Sequence, residues 1–552
     1  MILNGAQIVI EELVAHGVST IFGYPGGNVI DIYDELYKNS HRLTHVLTAH
    51  EQGAAHAADA HARILGKTSA VLATSGPGAT NLVTGIANAY LDSVPIVFIT
   101  GNVPVPMLGR DSFQEIDVLG LTLPIVKHSY VVKSVMSLQR TLKEAFHIAG
   151  SGRKGPVLVD IPKCVQSDSC EYDPYLKTAL PGSIHRTVDS ADLDSAIEAI
   201  VKSSRPFIYC GGGVTGINAG DDITELSRKI GAPIGMSLMG IGTIPYSYEL
   251  NLGMCGMQGR YASSVAQSEA DLIIALGVRF SDRATCNTQE YAKNSAVIHV
   301  DIDAAEIGKN VSPDISLCGD LKHVIPMLNS RVHTCPNEKW LERIRSLKAD
   351  GSVPLSSDFS PRNIIHCVNE FYDDDTVIAT DVGQHQMWVA QYYRFEKPRK
   401  LVTSGGLGAM GFGLGAAIGA SIASGRKRVV LFTSEGSFGM NLTELATAVT
   451  QKLPITIINL NNGVLGMVRQ MQAQSFDKRY SQTTLDRKTD FPALAKAFGA
   501  EGFSAYDLSE LEIILKSKPA NVPCLIDCPI DKDEKVLPMI PVDGDIRDML
   551  IN

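Results

Sequence analysis

A run of apolar and β-branched residues, Val429 to Thr433, breaks at once into Glu435-Gly436-Ser437, and this leaves the chain few ways to fold. Such a run, bounded by turn residues, reads as a buried strand. Asn441 to Lys452 carries Glu444, Leu445 and Ala448 at helical spacing, which predicts a helix. Pro454 then opens a second strand, Ile455 to Leu460, that ends in Asn461-Asn462-Gly463. A strand–turn–helix–strand unit sets its two turns side by side at the carboxyl edge of a parallel sheet, where open α/β folds bind ligands. One turn offers the carboxylate of Glu435; the other offers the amide oxygen of Asn462 and the backbone carbonyls of Gly463 and Val464. An all-oxygen set of this kind suits a hard cation such as Mg²⁺ carrying a diphosphate. An acid in a strand-to-helix turn is also what an ordinary N-cap region looks like, so the turn alone decides nothing.

With 552 residues the chain is long enough for two to four domains, and 45% apolar residues with 49 glycines is an ordinary composition for a cofactor-binding α/β protein. A net charge of −10 without a long basic run argues against nucleic acid or an anionic membrane as partner. The opening MILNGAQIVIEELVAHGV is an amphipathic helix too acidic for a transit peptide and lacking the basic start of a signal peptide. No stretch is long and apolar enough to span a bilayer. The ten cysteines are scattered without paired CxxC spacing, which predicts reduced core thiols and a cytoplasmic protein rather than a zinc site.

Read in order, residues 1–165 alternate helix and strand. Thr20 to Phe22 runs into Gly23-Tyr24-Pro25-Gly26-Gly27, where glycine and proline let backbone approach a ligand. Val46 to Thr48 leads to His50-Glu51, a carboxylate at a strand end opening an alanine-rich helix; Ala70 to Thr74 leads to Ser75-Gly76-Pro77-Gly78. Ile96 to Thr100, the segment Phe113-Gln114-Glu115, and the strand leading to Pro162-Lys163 complete the unit. A polar linker is expected at 166–188. Residues 188–335 then give strands Pro206–Cys210, Leu272–Leu276 and Ala296–Asp301, two of them running straight into glycine, which predicts a doubly wound sheet with a nucleotide-sized crevice. A charged segment at 336–358 reads as a second linker. Residues 358–540 carry Gln384 and His385, then Thr403-Ser404-Gly405-Gly406-Leu407-Gly408-Ala409-Met410-Gly411, then the opening unit. One more helix and strand are expected within 491–530, the strand being Cys524 to Cys528, with 541–552 a loose C-terminal arm over the site. The fold class is therefore α/β, three doubly wound parallel-sheet domains.

The wording GSF-MN--EL-TA----LP------NN---GMV-Q resembles the thiamine-diphosphate fold motif and, within it, the acetohydroxyacid (acetolactate) synthases; further motifs in that family's order extend the likeness over nearly the whole chain. The resemblance implies a pyrimidine-binding first domain, a middle domain and a diphosphate- and Mg²⁺-binding third domain. It gives Glu51 the hydrogen bond to N1′ of the aminopyrimidine that promotes deprotonation of thiazolium C2. It sets Tyr24, Pro25, Gly26 and Gly76 beside the cofactor, Gln114 at the substrate, and Lys163 at the mouth of the site. It gives Gln384 and His385 hydrogen bonds to the diphosphate, aided by Gly408, Gly436 and Ser437, and makes Met410 the wedge between the two cofactor rings. Glu435, Asn462 and Val464 become the metal ligands. FAD, without a redox part, would lie on Arg153, Gly212, Met257, Arg279 and Arg283 of the middle region.

The same resemblance implies that two pyruvates, or pyruvate and 2-oxobutyrate, condense with loss of CO₂. It also implies a homodimer or homotetramer gripping each cofactor between two chains. Five positions depart from the family pattern. Ser434-Glu435 replaces Gly-Asp, Gln258 stands where histidine is usual, Ser281 where aspartate is usual, and Met471 where the biosynthetic members carry a tryptophan. The sequence leaves open a thiamine-diphosphate lyase that releases an aldehyde, a weakly active homologue, the presence of flavin, a regulatory small subunit, and a biosynthetic or catabolic role. A nicotinamide dehydrogenase is disfavoured by Glu51, Met410 and Asn462 together.

Overall fold

The computed structural model describes residues 1–177, 180, 188–351, 356–519, 521–541 and 544–551. Buried β-branched runs build three six-stranded parallel sheets with helices on both faces. The first sheet runs Thr44–Leu47, Thr20–Tyr24, Ser69–Ala73, Ile96–Asn102, Val157–Pro162, His128–Val131. The third runs Leu401–Val402, Val377–Thr380, Val429–Thr433, Ile455–Asn461, Cys524–Pro529, Glu501–Ser504. Counted within each unit, both follow the same strand order, second, first, third, fourth, sixth, fifth, so a duplicated topology stands where no residue repeat is visible.

The middle sheet differs. Its order is Asn251–Met254, Ile234–Met236, Pro206–Cys210, Leu272–Leu276, Ala296–Asp301, Ile315–Cys318, that is third, second, first, fourth, fifth, sixth. This is the strand order of dinucleotide-binding folds, whose crevice opens where the order reverses. In the middle sheet that point lies between Pro206–Cys210 and Leu272–Leu276, which pair in parallel and exit into Gly211 and Gly277. In the first sheet the same rule selects the exits of Thr20–Tyr24 and Ser69–Ala73, and in the third those of Val377–Thr380 and Val429–Thr433.

The first and third units pack through the helices Glu51–Leu65 and Phe412–Ala423. Their backbones approach too closely for side chains. A Cβ on Gly419 would lie 1.8 Å from the Ala57 carbonyl oxygen, and one on Gly53 would lie 2.0 Å from Glu444 Oε1. Alanine and glycine on the two facing surfaces are what permits the crossing.

Several expectations are corrected. The segment after Thr433 is a helical turn, Glu435–Phe438, led by Ser434, rather than an open turn. The expected linker at 336–358 contains a helix, Glu338–Asp350, whose Trp340, Ile344 and Leu347 fall at helical spacing and are buried in the middle unit. The expected linker at 166–188 begins with ordered chain, since Ser169–Glu171 pairs with Ile2–Asn4; residues 178–179 and 181–187 lie outside the described residues. Within 491–530 there are two helices and two strands, the missed strand Glu501–Ser504 being a four-residue edge too short to show a period. Of the expected arm at 541–552, Leu550 bridges back to Met539, and the residues just before the arm are docked on the body of the protein. Trp388 Nε1 donates to the Lys535 carbonyl at 3.2 Å, Ile540 N–H to the Met257 carbonyl at 2.7 Å, and Met539 bridges Leu550. Residues 542–543 and 552 are outside the described residues. Among the described residues no helix is long and apolar enough to cross a membrane.

Candidate active site

The predicted site residues fall into two groups at two sheet edges. In the first unit, Glu51 is the first residue of its helix, and its Oε2 accepts from Asn81 Nδ2 at 2.9 Å. Facing it is Gly78, where a Cβ would come within 3.3 Å of Glu51 Oε1. Gly76 takes φ +56°, and a Cβ there would meet the Gln114 backbone at 2.9 Å, so glycine allows the Gln114 loop to lie on this turn. Gly26 packs against the Thr74 side chain, and Asn28 Nδ2 donates to Ser75 Oγ at 2.6 Å. Lys163 Nζ donates to the Gly27 carbonyl at 3.1 Å. Tyr24, Pro25, Gly26, Glu51, Gly76, Gln114 and Lys163 therefore share one edge, and none of them lines the large cavity described next.

That cavity, of about 1140 Å³, lies between the third and middle units, with Asp92 and residues 147–154 of the first unit on its rim. Gln384, His385, Gly408, Met410, Asn462 and Val464 line it, as do Arg153, Gly212, Arg279 and Arg283. Glu435 is buried, and neither carboxylate oxygen has a hydrogen-bond partner. Burial raises its pKa to about 7; the nearby N–H groups of Glu435 itself, Gly463, Asn462 and Val464, outside hydrogen-bonding geometry, pull it down by less. His385 Nε2 is likewise buried without a partner, and burial lowers that imidazole to about 3, so it is neutral. Unsatisfied buried polar groups are costly and are explained when a ligand completes them. Gly408 and Gly411 take φ of +67° and +88°, which lets the chain around Met410 turn into the cavity. Among the described residues no three His, Cys, Asp or Glu side chains cluster to hold a metal ion. A cation here would instead be held by one carboxylate with amide and carbonyl oxygens, the donor set of a hard ion.

Some expected ligands are engaged within the protein. Gln384 gives both amide protons away, to Gln470 Oε1 at 3.0 Å and the Glu534 carbonyl at 2.8 Å, and its oxygen takes Asn462 Nδ2 at 3.3 Å. It positions Asn462 rather than presenting a donor. The Gly463 carbonyl accepts from Leu485 N–H at 2.8 Å because residues 483–485 run back along the turn, and Asn462 Oδ1 takes the Val464 N–H at 3.2 Å. Ser437 supports the Gly411 turn, its Oγ lying 3.4 Å from the Gly411 N. Gly436 leaves room for Leu465, which a Cβ would meet at 2.9 Å. In the middle unit Arg153 is bound by Glu306 at 2.5 Å and Asp303 at 3.3 Å and donates to Ser93 Oγ. Met257 lies outside the cavity wall, buried against Arg283, which donates to its sulfur at 3.3 Å.

Two connections were not legible in the sequence. Glu444 is buried, and its carboxylate accepts the N–H of Ala49 at 3.1 Å and of His50 at 3.0 Å, the two residues before Glu51, together with Thr447 Oγ1 at 2.7 Å. Asp92 accepts the N–H groups of Gly405 and Gly406 and pairs with Arg63, whose Nη1 donates to the Thr403 carbonyl. The helix of Glu51 and the loop of Met410 are thus tied together. An acid in a first helical turn gives no sign of such a long-range partner.

Two carboxylate-bearing sheet edges flanking a dinucleotide-type unit define a class, and three family profiles name it. Thiamine pyrophosphate enzyme domains match residues 3–121 (N-terminal TPP binding), 193–328 (central) and 381–528 (C-terminal TPP binding). Among its relatives, the chain is 42% identical to the acetolactate synthase isozyme 2 large subunit of Escherichia coli, covering 99% of both chains. It is 40% identical to the large subunit of Buchnera aphidicola over 99% of this chain and 98% of that one. For Lactococcus lactis the figures are 42%, 98% and 94%. The chain belongs to the acetolactate synthase family of thiamine pyrophosphate enzymes.

Proposed function

We propose that this protein joins two pyruvates, or pyruvate and 2-oxobutyrate, with loss of one CO₂, using thiamine diphosphate and Mg²⁺ held between two copies of the chain. The observation that carries the reading is the buried carboxylate of Glu435, without a hydrogen-bond partner, next in the chain to Ser434 in the wall of a cavity that also presents Met410, Asn462 and the neutral, unpartnered His385. Glu435, the Asn462 amide oxygen and the Val464 carbonyl would hold the metal, and the N-terminal turn 435–438 would face the diphosphate. The cofactor, when bound, supplies the nucleophilic carbon and the electron sink for decarboxylation. Glu51, oriented by Asn81, exchanges a proton through its carboxylate across the open face of Gly78. Lys163 and Gln114 at the same edge bind and orient the 2-oxo acid.

Glu51 does not line the cavity of His385 and Met410 in one chain, which supports a second copy bringing its first unit to the third unit of its partner. A dimer is the smallest active assembly. Flavin is proposed for the middle part of the cavity, against Gly212, Arg279 and Arg283. The relatives are large subunits by name, which supports a smaller regulatory partner. Assay of bound thiamine diphosphate, metal and flavin in the purified protein tests this reading directly. Glu435→Ala should lose cofactor and metal together, and Glu435→Asp should keep or tighten both. An alanine variant that retains both as well as the parent removes Glu435 from the metal site.

A further inference from the structure

Met410 enters the cavity from a loop whose next residue, Gly411, is held at both of its backbone groups. The Gly411 N–H donates to Asp381 Oδ1 at 2.8 Å, with Ser437 Oγ farther off at 3.4 Å, and the Gly411 carbonyl accepts from Asn441 Nδ2 at 3.2 Å. That N–H lies in the planar peptide unit joining Met410 to Gly411, so holding it fixes the plane from which the Met410 side chain departs. Gly411 itself stands at φ +88°, and a Cβ on it would come within 3.1 Å of the Met440 Cβ and 3.4 Å of the Asn441 Cβ.

The two side chains come from different stretches of the third unit, and both are buried. Asp381 stands at the exit of the strand Val377–Thr380, where its N–H donates to the Phe432 carbonyl and its Oδ1 also takes the Val382 N–H, each at 2.9 Å. Burial raises its pKa; the nearby Ser437 hydroxyl and the N–H groups of Val382, Gly411 and Gly413 pull it down by less. The helix Phe412–Ala423 starts beside this carboxylate, and the N–H groups of its first turn favour a negative charge there. Asn441 lies between the turn Glu435–Phe438 and the helix Glu444–Thr450. Its N–H donates to the Phe438 carbonyl at 3.3 Å, and its carbonyl accepts the Glu444 N–H at 3.2 Å. Gly411 is therefore where the stretches that carry His385, Met410 and Glu435 are fastened together.

We propose that Asp381 and Asn441 are positioning residues for Met410, clamping Gly411 so that the thioether enters the cavity at one depth and one angle. Neither side chain lines the cavity, so each acts through Gly411 and not by touching cofactor or substrate. Methionine is unbranched and flexible and fills space loosely. It can wedge between two cofactor rings only when its backbone supplies the stiffness that its side chain lacks. The proposal rests on the reading of Met410 as that wedge for thiamine diphosphate, and it adds what holds the wedge in place.

The test takes the full-length protein, cleared of cofactor, titrates it with thiamine diphosphate and Mg²⁺, and follows exchange of the thiazolium C2 proton in deuterium oxide without pyruvate. Steady-state kinetics on pyruvate accompany it. Asp381→Ala and Asn441→Ala should each slow C2 exchange and kcat by about ten-fold or more, since misplacing a group by about 1 Å suffices for that. KM for pyruvate should stay within about three-fold. Asp381→Asn keeps an oxygen for the N–H groups of Val382 and Gly411, and should bring both rates back to within about three-fold of the parent. Because both side chains act through one residue, the double alanine variant should fall little below the slower single one. Asn441→Ala gives up one neutral hydrogen bond to Gly411, so it decides the matter even if Asp381→Ala does not fold. A double variant whose losses multiply overturns the clamp, and so does an Asp381→Asn protein as slow as Asp381→Ala, which would assign the effect to the buried charge. A parent that binds no thiamine diphosphate overturns the proposed function and the clamp with it. A parent that binds it, with single variants that exchange C2 and turn over as the parent does, removes the clamp alone.

Discussion

Replacing Glu444 by glutamine probes the joint on which the placement of Glu51 depends. The carboxylate accepts from the N–H groups of Ala49 and His50 and from Thr447 Oγ1, at 3.1, 3.0 and 2.7 Å, and it lies over Gly53, where a Cβ would clash at 2.0 Å. Glutamine keeps the shape but leaves one oxygen for the two N–H groups, the Thr447 hydroxyl has to turn and accept from the new NH₂, and every bond loses its charged acceptor. Hydrogen bonds to a charged group are worth roughly 1.5–3 kcal/mol each, which gives a loss of about 2–4 kcal/mol. The turn that shifts is the one immediately before Glu51, and misplacing a catalytic group by about 1 Å costs up to about a hundred-fold in rate. We expect kcat for pyruvate to fall between about ten- and a hundred-fold, with KM within about three-fold, because Gln114 and Lys163, the residues proposed to bind substrate, stay in place. Steady-state kinetics at saturating cofactor and metal, with a thermal melt of the same samples, measure both effects. A Glu444→Gln protein with the parent's kcat and melting temperature refutes the reasoning, and a raised KM with unchanged kcat shows that the joint serves substrate binding instead.

Glu51→Gln should nearly abolish turnover while thiamine diphosphate and metal content stay at the parent's level, since the two tasks sit on different units; comparable activity would remove the proton-exchange role. Met471 lies on the cavity wall, where a flexible thioether packs an acceptor less closely than a rigid ring would. Competition between pyruvate and 2-oxobutyrate as acceptors should show only weak preference for the larger, and strong discrimination in its favour would contradict this. His56, His61 and His385 are buried, and burial holds their pKa values near 3, 4 and 3. These folded values lie below the unfolded one of about 6.5, so stability is full above pH 6.5 and is lost as pH falls, at about 1.4 kcal/mol per unit for each histidine. Buried Glu435 and Asp160, raised to about 7, act in the opposite sense over the same range, so the clean readout is a difference: the melting temperature of His61→Gln relative to the parent should rise as pH falls from 6.5 to 5.

The strands around the sites were legible because parallel strands buried on both faces are continuous apolar runs; Val429–Thr433, Pro206–Cys210, Leu272–Leu276 and Ala296–Asp301 begin and end as read. The candidate residues were singled out from turns beside strand exits and from the family resemblance. What escaped was any side chain whose partner is distant in sequence. Gln384 looked like a free donor, yet its protons go to Gln470 and Glu534; the Gly463 carbonyl looked open, yet the chain returns at Leu485 to cover it. Met257 sits in a motif that resembles a flavin site but turns its sulfur to Arg283. The helix at Glu338–Asp350 was hidden by its charge, because only three apolar residues at helical spacing anchor it.

The account stands or falls on what the protein makes from pyruvate alone. Incubated with thiamine diphosphate and Mg²⁺, the full-length chain should release one CO₂ and form one 2-acetolactate for every two pyruvates consumed, followed by carbon-13 NMR of the reaction. Free acetaldehyde formed one for one with CO₂, or pyruvate left unchanged by a protein that holds its cofactor, would contradict it.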